Sequence, residues 1–181
     1  VENEVLHEIQ RKEQEFFYQI HKKKVSFEQD AKKVHKKLIK KVRHYLQDAS
    51  IKNILTAPII WSCLIPALLM DLIITVFQEI CFPIYGIPKV RRNDYIVLDR
   101  QYLSYLNGIE RLNCVYCGYF NGVMGYAREI AGRAEQYWCP IKHARKIKSI
   151  HSRYKSFFDY GDAAGYRAKI EEVRRSFDDI K

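Results

Sequence analysis

Apolar positions fall into three rhythms along the chain. Between residues 2 and 20, Val5, Ile9, Phe16, Phe17 and Ile20 sit among acidic residues at near-helical spacing, which predicts a helix. Ser26 with Gln29 three places on has the form of a capping box. From there Phe27, Ala31, Val34, Leu38, Val42 and Tyr45 recur every three or four residues while lysines fill much of the remaining surface, which predicts a basic amphipathic helix. The rhythm then disappears. From Asn53 to Pro88 there is no basic residue, and Asp71 and Glu79 are the only acids. Ile59-Ile60-Trp61 and Leu68-Leu69-Met70 make the stretch apolar around the whole helix.

Length decides what that stretch can do. At 1.5 Å per residue Ile54 to Met70 reaches ~25 Å, and continuation to Gln78 reaches ~37 Å. The longer figure clears a hydrocarbon layer of ~30 Å, but only with Asp71 carried inside. Two geometries fit: one tilted membrane-spanning helix, or a shallow re-entrant hairpin that breaks near Pro66 or Met70-Asp71 and ends in the Pro83, Gly86, Pro88 cluster. Residues 22 to 52 hold eleven Lys or Arg against three acids, and the far side opens with Lys89, Arg91 and Arg92. Basic loops stay cytoplasmic, so flanks of one sign favour the hairpin over the single span. A hairpin buried in a soluble core is the plainer alternative, and the all-round apolar triplets weaken it.

Beyond Pro88, Tyr95-Ile96-Val97-Leu98 reads as a short β-like run. Tyr102 to Leu106 before Asn107-Gly108 reads as a helix with its cap, and Asn121-Gly122 as a turn. Val123, Ala127, Ile130, Ala134 and Tyr137 then step at helical spacing, with Glu129 and Arg133 placed for an i,i+4 ion pair. Pro140 suits a first helical position, and Ile141, Ala144, Ile147, Ile150, Tyr154 and Phe157 extend that helix to about Tyr160. Gly161 stops it, and Asp162 caps a last helix through Ile170, Val173 and Phe177.

Charge sharpens the picture. The 181 residues carry a formal net charge of +10, and the mean hydropathy of the whole is negative, so the apolar stretch is an island. A basic excess of this size ordinarily suggests nucleic acid. Beside a membrane-inserting segment, anionic lipid explains it at about 1 kcal/mol per basic residue held at the surface. Lys33, Lys36, Lys37, Lys40, Lys41, Arg91 and Arg92 are the candidate headgroup contacts; nucleic acid is not the expected partner. Val1-Glu2-Asn3-Glu4 lacks the basic and apolar order of a secretory signal, so none is expected. Asp71 and Glu79 are functional candidates because an acid in lipid is costly; the turn of a hairpin would explain them equally well.

Among the five cysteines, Cys114-Val115-Tyr116-Cys117-Gly118-Tyr119 is the most specific string. Two thiols at Cys-x-x-Cys spacing can grip one metal ion, and these six residues resemble the first knuckle of rubredoxin-like and zinc-ribbon sites. The second Cys-Pro-x-Cys knuckle of rubredoxins is replaced by Cys139-Pro140-Ile141-Lys142-His143. With Cys139 at a predicted helix N-terminus and His143 one turn on, Cys114, Cys117, Cys139 and His143 make a Cys₃His set suited to structural zinc, with iron as the alternative. A redox-active Cys114/Cys117 pair and simple buried thiols are the other readings. Together with Arg91 to Tyr95 and Leu106 to Glu110, the Cys-x-Tyr-Cys-Gly-Tyr and Tyr-Trp-Cys-Pro-Ile-Lys-His-Ala strings also resemble a family of small, uncharacterised bacterial membrane-associated proteins. That resemblance implies a bacterial inner-membrane setting and no activity.

The expected protein is thus mainly α-helical. Acidic then basic amphipathic helices occupy 1–52, a membrane-embedded hairpin or single transmembrane helix 53–88, and a small cytoplasmic helical metal-binding domain 89–181. Its expected work is that of a membrane-anchored interaction or assembly module with a protein partner in the membrane. The alternatives are a membrane-bound iron electron carrier and a lipid-modifying enzyme using Asp71 or Glu79.

Overall fold

A computed structural model describes residues 18–21, 24–27 and 35–180. The described chain is mainly helical. A two-stranded antiparallel ribbon, β1 (Tyr18–His21) and β2 (Lys24–Phe27), pairs Tyr18 with Phe27 and His21 with Lys24. The helices are α1 (Val42–Asp48), α2 (Ile51–Ser62), α3 (Leu64–Tyr85), the single turn α4 (Arg92–Tyr95), α5 (Gly108–Trp138) and α6 (Ala163–Val173). Short 3₁₀ turns lie at Arg100–Tyr102 and Ser152–Ser156. The chain forms two compact units, Val1–Ile59 with Leu98–Tyr119, and Ile60–Val97 with Phe120–Lys181.

In the first unit the expected basic amphipathic helix is not continuous. Ser26 lies in β2 instead of capping a helix, and Ile39 to Lys41 leave helical geometry before α1 begins. The acidic helix expected over residues 2 to 20 falls largely outside the described residues, and its last positions, from Tyr18, belong to β1. Asn107 begins α5 rather than ending a helix. Its side-chain oxygen accepts from the Glu110 N–H at 3.0 Å, and the Glu110 carboxylate accepts from the Asn107 N–H at 2.8 Å, a reciprocal capping box.

The second unit is built on α3. Counted with α2, the helical run covers Ile51–Tyr85, 35 residues, and is long and apolar enough to cross a membrane. It is interrupted only at Cys63, which keeps right-handed helical angles. The chain therefore does not turn back at Pro66 or Met70-Asp71, and no re-entrant hairpin forms. Asn53 to Tyr85 contains no glycine to make the reversal, and a proline bends a helix more readily than it reverses one. The helix ends at Gly86, in the left-handed region at φ 69°, where Ile87 N–H donates to the Phe82 carbonyl at 2.9 Å and Gly86 N–H to that of Pro83 at 3.4 Å. These are the paired bonds of a Schellman end. Ile87 then folds onto Phe82, and with Val90, Tyr126, Ile130 and Phe177 they make the core.

Two further expectations change here. Asn121-Gly122 is not a turn but lies inside α5, where Gly122 admits the backbone of Tyr95 and Ile96. Tyr95 ends α4, so the β-like run forms no strand. The helix expected from Pro140 to Tyr160 is also absent. Phe158 N–H donates to the Pro140 carbonyl and Lys142 N–H to that of Phe158, each at 2.8 Å, whereas a helix would hold these ends ~27 Å apart. Asp162 does cap α6, accepting from Gly165 N–H at 2.9 Å.

A methyl group on Gly122 would lie 2.8 Å from the Tyr95 carbonyl oxygen and 2.9 Å from the Ile96 Cα, both backbone atoms. On Gly132 it would lie 2.7 Å from Nδ1 and 2.9 Å from Cγ of His151, whose ring is paired with Glu135 and packed on Tyr154 and Phe157. Gly122→Ala and Gly132→Ala are therefore each expected to destabilise by about 1–3 kcal/mol, as read from unfolding midpoints in mild detergent.

Candidate membrane-inserting helix and its polar seam

One face of α3 is inward. Ala67, Asp71, Gln78 and Phe82 are buried, and their spacing of four, seven and four residues puts them within about 60° of helix surface. Two of the four are polar, and both are satisfied by the strand of chain that returns after Gly86. Arg92 donates from Nε to Asp71 Oδ1 at 3.1 Å and from Nη2 to Oδ2 at 2.6 Å, a two-pronged grip on a carboxylate only 8% exposed. Gln78 accepts from Val90 N–H at 3.0 Å, donates to the Val90 carbonyl at 3.3 Å and donates to the Tyr126 hydroxyl. Its amide thus completes the backbone of an isolated residue as a neighbouring strand would. Lys89 reaches the Glu79 carboxylate near the rim. The segment Ile87 to Arg92 therefore runs back along α3, zipped to it by charge and amide.

A second seam holds the end of the chain to α5. Buried Arg133 donates to Glu129 at 2.9 Å, as its spacing predicted, and to the Pro88 carbonyl at 2.7 Å. Fully buried Gln136 donates to the carbonyls of Val173 and Ser176 at 2.9 and 2.7 Å and accepts from Arg153. Arg153 also reaches the Ser176 carbonyl and, at 2.6 Å, the Asp179 carboxylate. That hydrogen bond and charge hold the Asp179 carboxyl below its ordinary range.

The opposite face of α3 is apolar and uncovered. Leu72, Ile73, Val76, Ile80 and Ile84 are each 47–72% exposed, and Ile65, Leu68 and Leu69 continue the ridge towards α2, which has no buried residue. In the most apolar 18 residues of the run only 11% are buried, the reverse of a core helix. Moving five such side chains from water to an apolar phase is worth on the order of 10 kcal/mol, as much as a whole domain's stability. At the C-terminal end of α3, Tyr85 stacks on Tyr137 and meets Trp138 edge-on, with ring centroids 5.0 and 5.2 Å apart. Trp138 itself is more than half exposed. Such rings favour the membrane–water boundary.

The four candidate metal ligands are not assembled. Cys114 and Cys117 share one turn within α5 rather than forming a knuckle. Cys139 follows the other end of the same helix, its N–H bonded to the Glu135 carbonyl at 2.7 Å. The 21 helical residues between Cys117 and Cys139 rise ~32 Å. Cys139 thus sits at a helix C-terminus, where the dipole opposes a thiolate, and not at the expected N-terminus. His143 is engaged by Tyr154, whose hydroxyl lies 2.8 Å from its N–H and 3.2 Å from Nδ1. Among the described residues no three His, Cys, Asp or Glu side chains group to hold a metal ion.

Of the candidate lipid contacts, Lys36, Lys37, Lys40, Lys41 and Arg91 are exposed, Arg92 is committed to Asp71, and Lys33 lies outside the described residues. Gln78 and Gln136 escaped the sequence reading, which gave Arg133 only its Glu129 partner and took Arg153 for part of a basic face. The seven-residue step from Asp71 to Gln78 was the available signal, since it places two polar groups on one stripe of an apolar helix. No protein-family model, curated protein or solved structure matches the chain.

Gln78→Leu strands the Val90 backbone and the Tyr126 hydroxyl, so an unfolding titration should show a loss of about 1–3 kcal/mol per group left unpaired. Chelator treatment together with Cys139→Ser should leave the thermal midpoint unmoved; a fall of several degrees would restore the metal site. Because folding lowers the Asp179 pKa, the Arg153 contact adds stability fully above the ordinary value of 3.8 and loses it as pH falls through the lower folded value. Between pH 5 and 2 the midpoint of Asp179→Asn should therefore fall less than that of the parent.

Proposed function

We propose that the chain is a non-enzymatic, membrane-anchored interaction or assembly module held at the cytoplasmic face of a bacterial inner membrane. The observation that carries this reading is the ridge of uncovered aliphatic side chains along α3, set against an inner face whose polar groups are all paired. A soluble protein has no reason to leave that ridge in water while burying a glutamine and an aspartate on the other side.

Charge supports the side. Lys36, Lys37, Lys40 and Lys41 before the helix and Arg91 after it suit an anionic leaflet and the positive-inside rule. The loop after Trp138 adds exposed Arg145, Lys146 and Lys148. The chemistry of the acids supports a binding role over catalysis. Asp71 gives both oxygens to Arg92 and Glu79 is matched by Lys89, so each works as a structural counter-charge. A lipid-modifying centre needs an acid poised towards substrate, and neither is so placed.

Purified full chain mixed with vesicles of three parts phosphatidylcholine to one part phosphatidylglycerol should float with the lipid and resist alkaline extraction. Val76→Asp, which puts a charge on the ridge without touching the inner face, should lower the bound fraction at least tenfold. A parent protein that remains in the aqueous fraction would overturn the proposal.

A further inference from the structure

We infer that α3 does not cross the bilayer but lies along the surface of one leaflet, its ridge in the acyl chains and its seam in the headgroup layer. The inference rests on the membrane reading above and specifies the surface that binds and the lipid it takes.

Three placements of the helix can be compared. If α3 spanned the hydrocarbon, the segment zipped to it would go too, because Val90 is bonded to Gln78 and Arg92 to Asp71. Lys89, Arg92, Asp71 and Glu79 would then all enter the acyl core, beside Arg133 and Glu129 of α5. If only Ile54 to Met70 were immersed, ~25 Å of helix would meet a ~30 Å layer. The remainder of α3 would then stand in water with Leu72, Ile73, Val76, Ile80 and Ile84 uncovered. Laid along the leaflet, the helix satisfies both faces at once. Its polar side stays paired against the returning chain and α5, and its aliphatic side meets lipid, as the apolar face of an in-plane amphipathic helix does.

The surroundings specify the lipid. Arg91 is exposed beside the seam, Trp138 meets Tyr85 edge-on, and the loop that follows Trp138 in the chain carries exposed Arg145, Lys146 and Lys148. An aromatic pair at the helix end, with exposed cations in the segments that follow α3 and α5, fits a leaflet bearing anionic headgroups. The basic composition of both sequence flanks agrees, since neither then has to be translocated.

Depth measurement separates these placements. Leu69, Val76 and Ile84 share the ridge at steps of ~10 and ~12 Å. Each is changed singly to Trp in a full chain carrying Trp61→Phe and Trp138→Phe, with helix content checked by circular dichroism. The variants bind vesicles of phosphatidylcholine and phosphatidylglycerol carrying bromines at shallow or deep acyl positions. The expected result is similar quenching at all three sites, strongest with shallow bromines, and at least a tenfold loss of binding when phosphatidylglycerol is omitted. Strongest deep quenching at Leu69 or Val76, with Ile84 shallower, would show a spanning helix and overturn the inference while leaving membrane attachment intact. Flotation without quenching at any of the three sites would show that protein covers the ridge, and likewise overturn it. Failure of the parent chain to float would instead remove the underlying membrane reading.

Discussion

The pairing of Asp71 with Arg92 is the constraint on which the second unit depends. An apolar helix with one acid in its middle is unstable in lipid and unremarkable in water, and the answer in either solvent is set by what faces that acid. Here the chain leaves α3 through a left-handed glycine, reverses, and brings its own arginine back to the carboxylate 21 residues later. Gln78 fixes the register of that return by bonding both backbone groups of Val90. Charge and amide together turn a helix that is oily by composition into a two-faced element.

The same seam organises what packs beyond it. With Ile87 and Val90 held against α3, the hydrophobic cluster closes through Tyr126 and Ile130 of α5 and Phe177 near the chain end. Arg133 then satisfies the Pro88 carbonyl at the reversal, a backbone group that a proline-rich turn leaves without a regular partner. Gln136 and Arg153 repeat the device about one turn further along α5 by collecting carbonyls at and just beyond the end of α6. Buried polar side chains in this fold act chiefly as partners for irregular backbone, which lets long loops be held without further secondary structure.

How much of this was legible in the sequence follows from range. Local signals read well: the membrane-scale apolar run, the Glu129–Arg133 pair and the Asp162 cap all depend on neighbours within a few residues. Signals whose meaning depends on tertiary contact read poorly. Asn121-Gly122 has the form of a turn, yet its glycine is used for the close approach of Tyr95 and Ile96. Pro140 has the form of a helix start, yet its carbonyl is taken by Phe158 from 18 residues on. The cysteine motif also depends on tertiary context, because Cys-x-x-Cys grips a metal when a turn aims both sulfurs inward, and here the spacing is one turn of a helix.

Length and apolarity together do not distinguish a helix that crosses a bilayer from one that rests in it, because both measures average around the helix. What distinguishes them is the angular distribution of partners. A crossing helix in a monomer needs lipid-compatible groups on every side, whereas α3 carries buried Asp71 and Gln78 opposite its aliphatic ridge, each tied to a polar partner on the returning chain. The cost of immersing those groups, at about 2.5–3.5 kcal/mol for each charge near the centre, rivals the gain from immersing the ridge. The in-plane position collects the gain and avoids the cost. An acid that looked like an obstacle to membrane insertion is thus what gives the helix its sidedness.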